Sequence, residues 1–408
     1  MSTPHVPART LTTAHLSAAH PFYAGRTLDR SGPLVGREVT SGRAFAVDPW
    51  RLYQDGHITS PGTLIAGQVG LGKSALVKTY LARQAIIGRR AVVIDPKGEY
   101  AALAEWFGTA AICLRPGGTT RLNPLDPAIG ADAHAALVAA VVELGLERRL
   151  NPLERAACER ACAIVAATGT GTLTGVYDAL RQPTADDAQR LGSTPARLAE
   201  ETRTCALALH RLCEGELAGM LDAATTPDVR LDAPVVVFDL RALRNSAALG
   251  IVMACIAAWH EGQLARGNLA QIFVVDEAWA LIATAATAEF FQRSWKLARA
   301  SGVQNILVVH RVSDLRAAGD AGSRVAQIAE GLVSESEICV LLRQAHADLA
   351  ATRERLGLSD TEAEVVTRLP RGCALWRIGN RSFVVAHVIS DAERTLIDTD
   401  HAMRTAGA

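Results

Sequence analysis

The chain has no excess of charge of either sign: 42 Lys and Arg offset 42 Asp and Glu over 408 residues. It therefore lacks the global basic field of a protein that coats nucleic acid or an anionic membrane, which leaves room only for a basic channel formed in an oligomer. No stretch of 18 uncharged apolar residues occurs, and residues 1–9 hold no apolar signal-peptide core. A cytoplasmic location is expected, with membrane contact at most peripheral, at the inner face of the cell membrane. The eight cysteines include no CxxC pair and no metal-ligand spacing. Most are expected to be buried free thiols in apolar surroundings, among them Cys113, Cys205, Cys255 and Cys339, with Cys158 and Cys162 one helical turn apart. Internal repeats and low-complexity tracts are also missing. What remains is an ordinary globular composition, 49% hydrophobic and 21% charged, long enough for one large α/β domain with insertions or for two domains.

Against that plain background one segment stands out. Gly67-Gln68-Val69-Gly70-Leu71-Gly72-Lys73-Ser74 matches G-x-x-x-x-G-K-[ST], with Ala75 continuing into a helical pattern. The apolar run 63–66 before it reads as a buried strand and residues 75–84 after it as a helix. A glycine loop between strand and helix aims successive backbone N–H groups at one point, where the helix dipole adds positive charge. That point binds nucleotide phosphates. Lys73 is expected to reach the β- and γ-phosphates and Ser74 to coordinate Mg²⁺, with ATP as the nucleotide.

Around the loop the pattern alternates strand and helix. Apolar runs 91–95, 111–114, 235–240, 272–276, 305–309 and 338–342 read as strands, with helices expected over 249–263 and 287–300. A hairpin over 373–388 has Gly379-Asn380 as its turn candidate. Residues 128–225 instead carry helical spacing and no convincing strand. A strong helix runs over 153–165, Thr168–Thr172 breaks it, 183–195 is a polar connection, and 196–213 is helical again. The expected fold is α/β: a RecA-like P-loop NTPase core with a parallel sheet, plus an inserted all-α subdomain. The divisions follow as a lead-in of short strands over 1–60, a core over 61–127 and 230–395, an insertion over 128–229, and a tail over 396–408.

Three further elements complete the expected site. Val274-Val275-Asp276-Glu277 ends an apolar strand in two acids; Asp276 would hold the Mg²⁺ shell and Glu277 orient and polarise the attacking water. Asp95-Pro96-Lys97-Gly98-Glu99-Tyr100 forces a turn at a strand's C-terminal end, which places Lys97 and Glu99 beside the γ-phosphate. His310 ends the next strand, where a polar side chain can sense the γ-phosphate or its water. Arg293, Lys296 and Arg299 recur at helical spacing, as either a solvated basic face or a contact to a neighbour's nucleotide or a substrate.

Taken together these motifs resemble the VirB-type motor ATPases of conjugative transfer and type IV secretion, within the HerA–FtsK pumping superfamily. The likeness runs from about residue 20 to 390. Besides the nucleotide loop it rests on Asp95–Tyr100, Leu122-Asn123-Pro124-Leu125, the segment 215–222, Val275–Trp279, residues 295–310 and Leu341-Leu342-Arg343-Gln344. The resemblance implies a homo-hexameric ring with the nucleotide between subunits. An arginine in trans, here Arg343 or, second, Arg371, would complete the site. It also implies subunits of the secretion or conjugation machine as partners, with DNA as a further candidate. Two features depart from the pattern: His310 stands where family members usually have Gln, and about 60 residues precede the loop where members usually carry a substantial docking domain, so docking is expected to be minimal or supplied by another subunit. Three functions compete: a motor or assembly ATPase of a conjugation-type machine, a DNA-pumping translocase, and a nucleotide-gated scaffold with little turnover.

Overall fold

The structure is a computed structural model that describes Leu28 and residues 31–397, apart from 130, 169–170, 228, 230–231, 245, 247, 265–270, 280–287, 290, 293–294, 297–300 and 316–323. Most of the lead-in before residue 31, the tail beyond residue 397, and most of the helix expected over 287–300, with Arg293 and Arg299, lie outside the described residues.

Eleven strands form one sheet: β1 (Leu34–Glu38), β2 (Ala44–Ala46), β3 (Thr63–Ala66), β4 (Arg90–Asp95), β5 (Ile112–Cys113), β6 (Val235–Asp239), β7 (Gln271–Val275), β8 (Val303–Val309), β9 (Ile338–Leu341), β10 (Cys373–Ile378) and β11 (Arg381–His387). Their order is β2-β1-β11-β10-β9-β3-β8-β7-β4-β6-β5. From β9 to β5 every pairing is parallel, and from β9 outward through β10, β11, β1 and β2 every pairing is antiparallel.

The parallel strands are apolar on both faces because both faces are covered. Leu64, Val92, Ile94, Phe238, Val275 and Leu307 face one core, which continues into the Ala248–Leu264 helix and the insertion. Ile65, Val93, Val237, Val274, Ile306 and Val308 face the other, which holds Leu76, Val77, Tyr80 and Leu81 of the Lys73–Ile86 helix. The lead-in is pinned to this body: Trp50 Nε1 donates to the Gly302 carbonyl at 2.7 Å, and Arg89 stacks on the Trp50 ring while pairing with Asp48 at 2.6 Å.

Between β5 and β6 the described residues are helical or irregular. Helices Ala131–Leu146, Pro152–Ala167, Leu173–Arg181 and Arg203–Cys213 pack on one another and, through Ala131–Leu146, on Ala248–Leu264. Three expectations change here. The connection over 183–195 contains a helix, Ala185–Arg190, nucleated by a Thr184–Asp187 capping box, with Asp187 taking Arg160 at 2.7 Å. The helix over 196–213 is two, Pro195–Glu201 and Arg203–Cys213. They part at buried Thr202, whose hydroxyl bonds the Leu198 carbonyl at 2.8 Å in the manner that bends helices. Cys113, expected to be buried, is exposed, because two-residue β5 is the edge of the sheet. Among the described residues no helix is long and apolar enough to cross a membrane.

The Pro152–Ala167 helix starts at an Asn151–Glu154 capping box, and Glu154 also takes both Arg148 nitrogens, at 2.7 and 2.8 Å. Asn151→Ala is expected to destabilise the insertion by about 1 kcal/mol. A lower denaturant midpoint at unchanged slope would register the loss; an unmoved midpoint would mean the cap contributes nothing.

Candidate functional site

The strand order decides which side chains meet. Because β8 lies between β3 and β7, the C-terminal ends of β3, β8, β7 and β4 present the phosphate loop, His310, Asp276–Glu277 and the Asp95 turn side by side. In a parallel sheet this edge is where ligands bind.

The loop has the shape its glycines allow. Gly70 (φ 78°) and Gly72 (φ 101°) adopt left-handed backbone that L side chains rarely take, and a Cβ on either would point into open space. The cradle above the loop is thus free of protein atoms at these two residues. Gly67 answers a different constraint, since a Cβ there would lie 2.6 Å from Leu342 Cβ. The loop is braced from the other side by Arg343 and Gly372: Gln68 N–H donates to the Arg343 carbonyl at 3.2 Å, and Gly372 N–H to the Leu71 carbonyl at 3.2 Å. Val69 is the exposed tip, while Ser74 and Ala75 are half-buried in the first turn of the helix.

Lys73 is buried and folded back on the loop, donating to the carbonyls of Gly67 and of Gln68 (3.0 Å) and lying 3.1 Å from His310 Nδ1. Burial and the neighbouring Lys97 charge push its ammonium down to about 8, against the pull of Asp276, Glu277 and Glu99. On the other side of His310, Nε2 lies 2.8 Å from Glu277 Oε1 and 3.2 Å from Lys97 Nζ, and Lys97 pairs with the same Glu277 oxygen. The imidazole therefore stands between the loop lysine and the glutamate.

The two acids diverge. Asp276 is buried, its N–H donates to the Ile94 carbonyl at 3.1 Å, and its Oδ1 accepts the Glu277 N–H at 2.9 Å. Burial raises it to about 7, with Lys97 pulling down and Glu277, Asp95 and Glu99 pushing up. Glu277 is also opposed by burial, yet hydrogen bonds from His310 and Lys97 and from Trp279 hold it at about 2. Its φ of 54° is left-handed for a non-glycine residue, a strain of order 1–3 kcal/mol. Glu99 is half-buried and acts on both lysines through its charge.

Asp95 shapes the turn that carries Lys97. Its two oxygens accept the N–H groups of Lys97 (3.1 Å), Gly98 (2.8 Å) and Tyr100 (2.9 Å). Gly98 takes φ 74° beneath the Arg241 guanidinium, which Asp239 anchors at 2.6 Å. Neither Trp279 nor Arg241 was among the site residues expected from sequence. Trp279 had a signal in standing two residues past Glu277; Arg241 had none, because its place depends on β6 lying beside β4.

The donor set suits a small divalent cation shared with phosphates. Asp276 Oδ2 is buried without a hydrogen-bond partner among the described residues, and Ser74 is half-buried at the head of the phosphate-loop helix. Those residues hold no group of three or more His, Cys, Asp or Glu able to bind a metal unaided.

Other expected residues fall elsewhere. Arg343 and Arg371 are exposed on the rim of their own chain's phosphate loop, and Lys296 is exposed. The segments Leu122–Leu125 and 215–222 meet each other rather than the nucleotide edge. Leu122 N–H donates to the Met220 carbonyl at 2.8 Å, Arg121 pairs with Asp222 at 3.1 Å, and the Asn123 amide donates to the Gly171 carbonyl at 2.7 Å, so together they close the base of the insertion. A cavity of about 570 Å³, bounded by Ser336, Cys339, Arg377 and Gly379, opens at the opposite end of the sheet.

Comparison with solved structures places this arrangement. VirB4 of Thermoanaerobacter pseudethanolicus superposes with a TM-score of 0.72 at 23% identity, covering 90% of this chain and 100% of that one. The chain has the fold of VirB4. The plasmid coupling protein TrwB shares it, with a TM-score of 0.58 at 16% identity over 90% of this chain and 91% of TrwB, both with ADP and Mg²⁺ and with a non-hydrolysable ATP analogue. No model of a known protein family and no curated protein sequence matches the chain. The sheet, phosphate loop and helical insertion of this chain are the RecA-like P-loop core with an all-α insertion anticipated from the motifs.

The low position of Lys73 sets a sign for pH. A phosphate favours its charged form, so above pH 8 binding must take up a proton at Lys73 and affinity for a nucleoside triphosphate falls as pH rises. Titration with a fluorescent nucleotide between roughly pH 6.5 and 9.5 tests this. Affinity flat to the alkaline end would remove Lys73 from charge pairing with the phosphates.

Proposed function

We propose that the chain is an ATP-hydrolysing motor or assembly ATPase of a conjugative-transfer or type IV secretion-like machine, working as a homo-hexameric ring with its partner subunits. The observation that carries this reading is the meeting of Lys73, Asp276, Glu277 and His310 at one sheet edge, in the fold of VirB4.

In this reading the loop N–H groups and Lys73 take the β- and γ-phosphates, and a Lys73 drawn to phosphate leaves the Gly67 and Gln68 carbonyls. Ser74 and Asp276 would hold Mg²⁺, which neutralises charge on the phosphate oxygens when bound. Lys97 lies close enough to its Glu277 partner to add positive charge at the same edge. Glu277 accepts a hydrogen bond from the attacking water and orients it. A carboxylate held at about 2 is a weak base, which suits orientation in a loose phosphoryl-transfer transition state better than full proton removal beforehand. As the water oxygen bonds the γ-phosphorus, the bond to the leaving ADP oxygen breaks, and the water proton passes to phosphate through the Glu277 carboxylate.

Lys73→Ala is expected to abolish nucleotide binding, whereas Glu277→Gln keeps binding and loses turnover. Wild-type affinity in the first variant, or wild-type turnover in the second, would remove the role assigned to that residue. ATPase rate per subunit is expected to rise with protein concentration, because an arginine from a neighbour completes the site; such residues contribute about 10³–10⁵ in rate where they act. Arg343→Ala should erase that concentration dependence. A rate flat across the dilution series would instead assign the rim arginines to their own chain's nucleotide. Strong stimulation by duplex or single-stranded DNA in the same assay would move the reading to a DNA-pumping translocase. Turnover no higher than that of Glu277→Gln would leave a nucleotide-gated scaffold.

A further inference from the structure

We infer that Trp279 is a positioning residue that fixes the carboxylate of Glu277, an inference resting on the hydrolytic reading above. The two oxygens of Glu277 have different partners. Oε1 faces His310 Nε2 at 2.8 Å and the Lys97 ammonium, while Oε2 accepts from the indole Nε1 of Trp279. The terminal torsion of a glutamate is broad and roughly twofold, so donors on one oxygen leave the carboxylate plane loosely set. A donor on the second oxygen sets the plane and thereby the direction in which an unused lone pair points. Water orientation depends on that direction, and small errors in placement are costly in rate.

The location of Trp279 argues against a packing role. It is 38% exposed, while the carboxylate it contacts is buried. An exposed indole N–H can satisfy itself with water, yet this one turns inward to a buried carboxylate. The left-handed backbone at Glu277 makes the turn possible: with φ at 54° the chain doubles back after β7, which lets the side chain two residues on reach the glutamate's far oxygen. Indole offers a donor and no acceptor, so it competes neither for the lysines nor for the water proton.

The test combines kinetics with a direct reading of the contact. Trp279→Phe keeps an aromatic ring and removes the donor; Trp279→His keeps a ring N–H. In Trp279→Phe, kcat for ATP is expected to fall about tenfold or more, with KM and the affinity for a fluorescent ATP analogue unchanged within about twofold, and Trp279→His to recover part of the loss. In ¹⁵N-labelled protein, the indole resonance missing from Trp279→Phe is expected to move upfield in Glu277→Gln, as its acceptor loses charge. Wild-type kcat in Trp279→Phe overturns the inference, as does an indole resonance indifferent to Glu277→Gln. Loss of nucleotide affinity in step with kcat also overturns it, in favour of a general structural role. Should Trp279→Phe fail to fold, Trp279→His and the Glu277→Gln resonance decide. If Glu277→Gln itself retains turnover, the hydrolytic role of Glu277 fails first, a result distinct from a normal Trp279→Phe beside an inactive Glu277→Gln.

Discussion

Lys73 and Lys97 and the carboxylates of Asp95, Glu99, Asp276 and Glu277 act on one another at the C-terminal edge of the sheet, where burial drives Lys73 and Asp276 toward their neutral forms while partners keep Lys97 and Glu277 charged. Lys73 and Lys97 repel each other, and burial opposes both, yet Lys97 ends raised while Lys73 ends at about 8. The difference is partnership. Lys97 has the Asp276 charge nearby and Glu277 in direct contact, whereas Lys73 feels the same acids only at a distance and touches backbone carbonyls and an imidazole. The lysine left short of a counter-charge is the one on the phosphate loop, so a polyanion there relieves an existing imbalance. The acids split in the same way. Adjacent in sequence, Asp276 at about 7 and Glu277 at about 2 are separated by the donors that only Glu277 receives. Environments that push neighbouring titratable groups apart are the usual mark of divided roles.

This balance depends on topology. The edge works because β8 threads between the strand that feeds the phosphate loop and the strand that ends in Asp276. The insertion leaves that edge alone, and the antiparallel strands touch it only through the residues that lead into β10. The insertion departs after β5 and returns before β6, at the far margin of the parallel sheet, and its helices cover one face through Ala248–Leu264. On the other margin β10, β11, β1 and β2 extend the sheet, and Arg83 ties the phosphate-loop helix to them by pairing with Glu393 and donating to the carbonyls of Leu34 and Val388. The loop helix is thereby held at its far end as well as by its packing.

What could be read from the sequence was local or periodic. The phosphate loop announces itself because its mechanism needs a strand, glycines, a lysine and a helix in consecutive positions. The doubly covered strands announce themselves as unbroken apolar runs. Helix boundaries inside the insertion were less legible. Thr184 and Asp187 look like ordinary polar connection until Arg160 is known to lie across from them, and Thr202 breaks a helix through a hydroxyl bond that periodicity does not register. Cys113 reads as buried from its apolar neighbours and is exposed because β5 is an edge, a fact about strand order. At the site the same limit applies: residue types at strand ends were legible, but which of them touch was not. Asp95 is the clearest case. Its motif suggested charges beside a phosphate, and its own carboxylate instead spends both oxygens on the backbone of the turn that presents Lys97.

His310 is where topology and chemistry meet. Its ring nitrogens point in different directions, Nδ1 to Lys73 at 3.1 Å and Nε2 to Glu277 at 2.8 Å. An ammonium can only donate and a carboxylate can only accept, so both contacts are hydrogen bonds only when the ring carries a single proton, on Nε2. Lys97, 3.2 Å from that same nitrogen, then has no lone pair to receive it there and directs its charge to Glu277 instead. A side-chain amide in this position could offer an acceptor and a donor too, but both on one terminal carbon. The imidazole separates them across a rigid ring, so it spans the gap between the loop lysine and Glu277 without a flexible joint. Lys73 and Glu277 thus meet through one rigid ring rather than through two independent side chains.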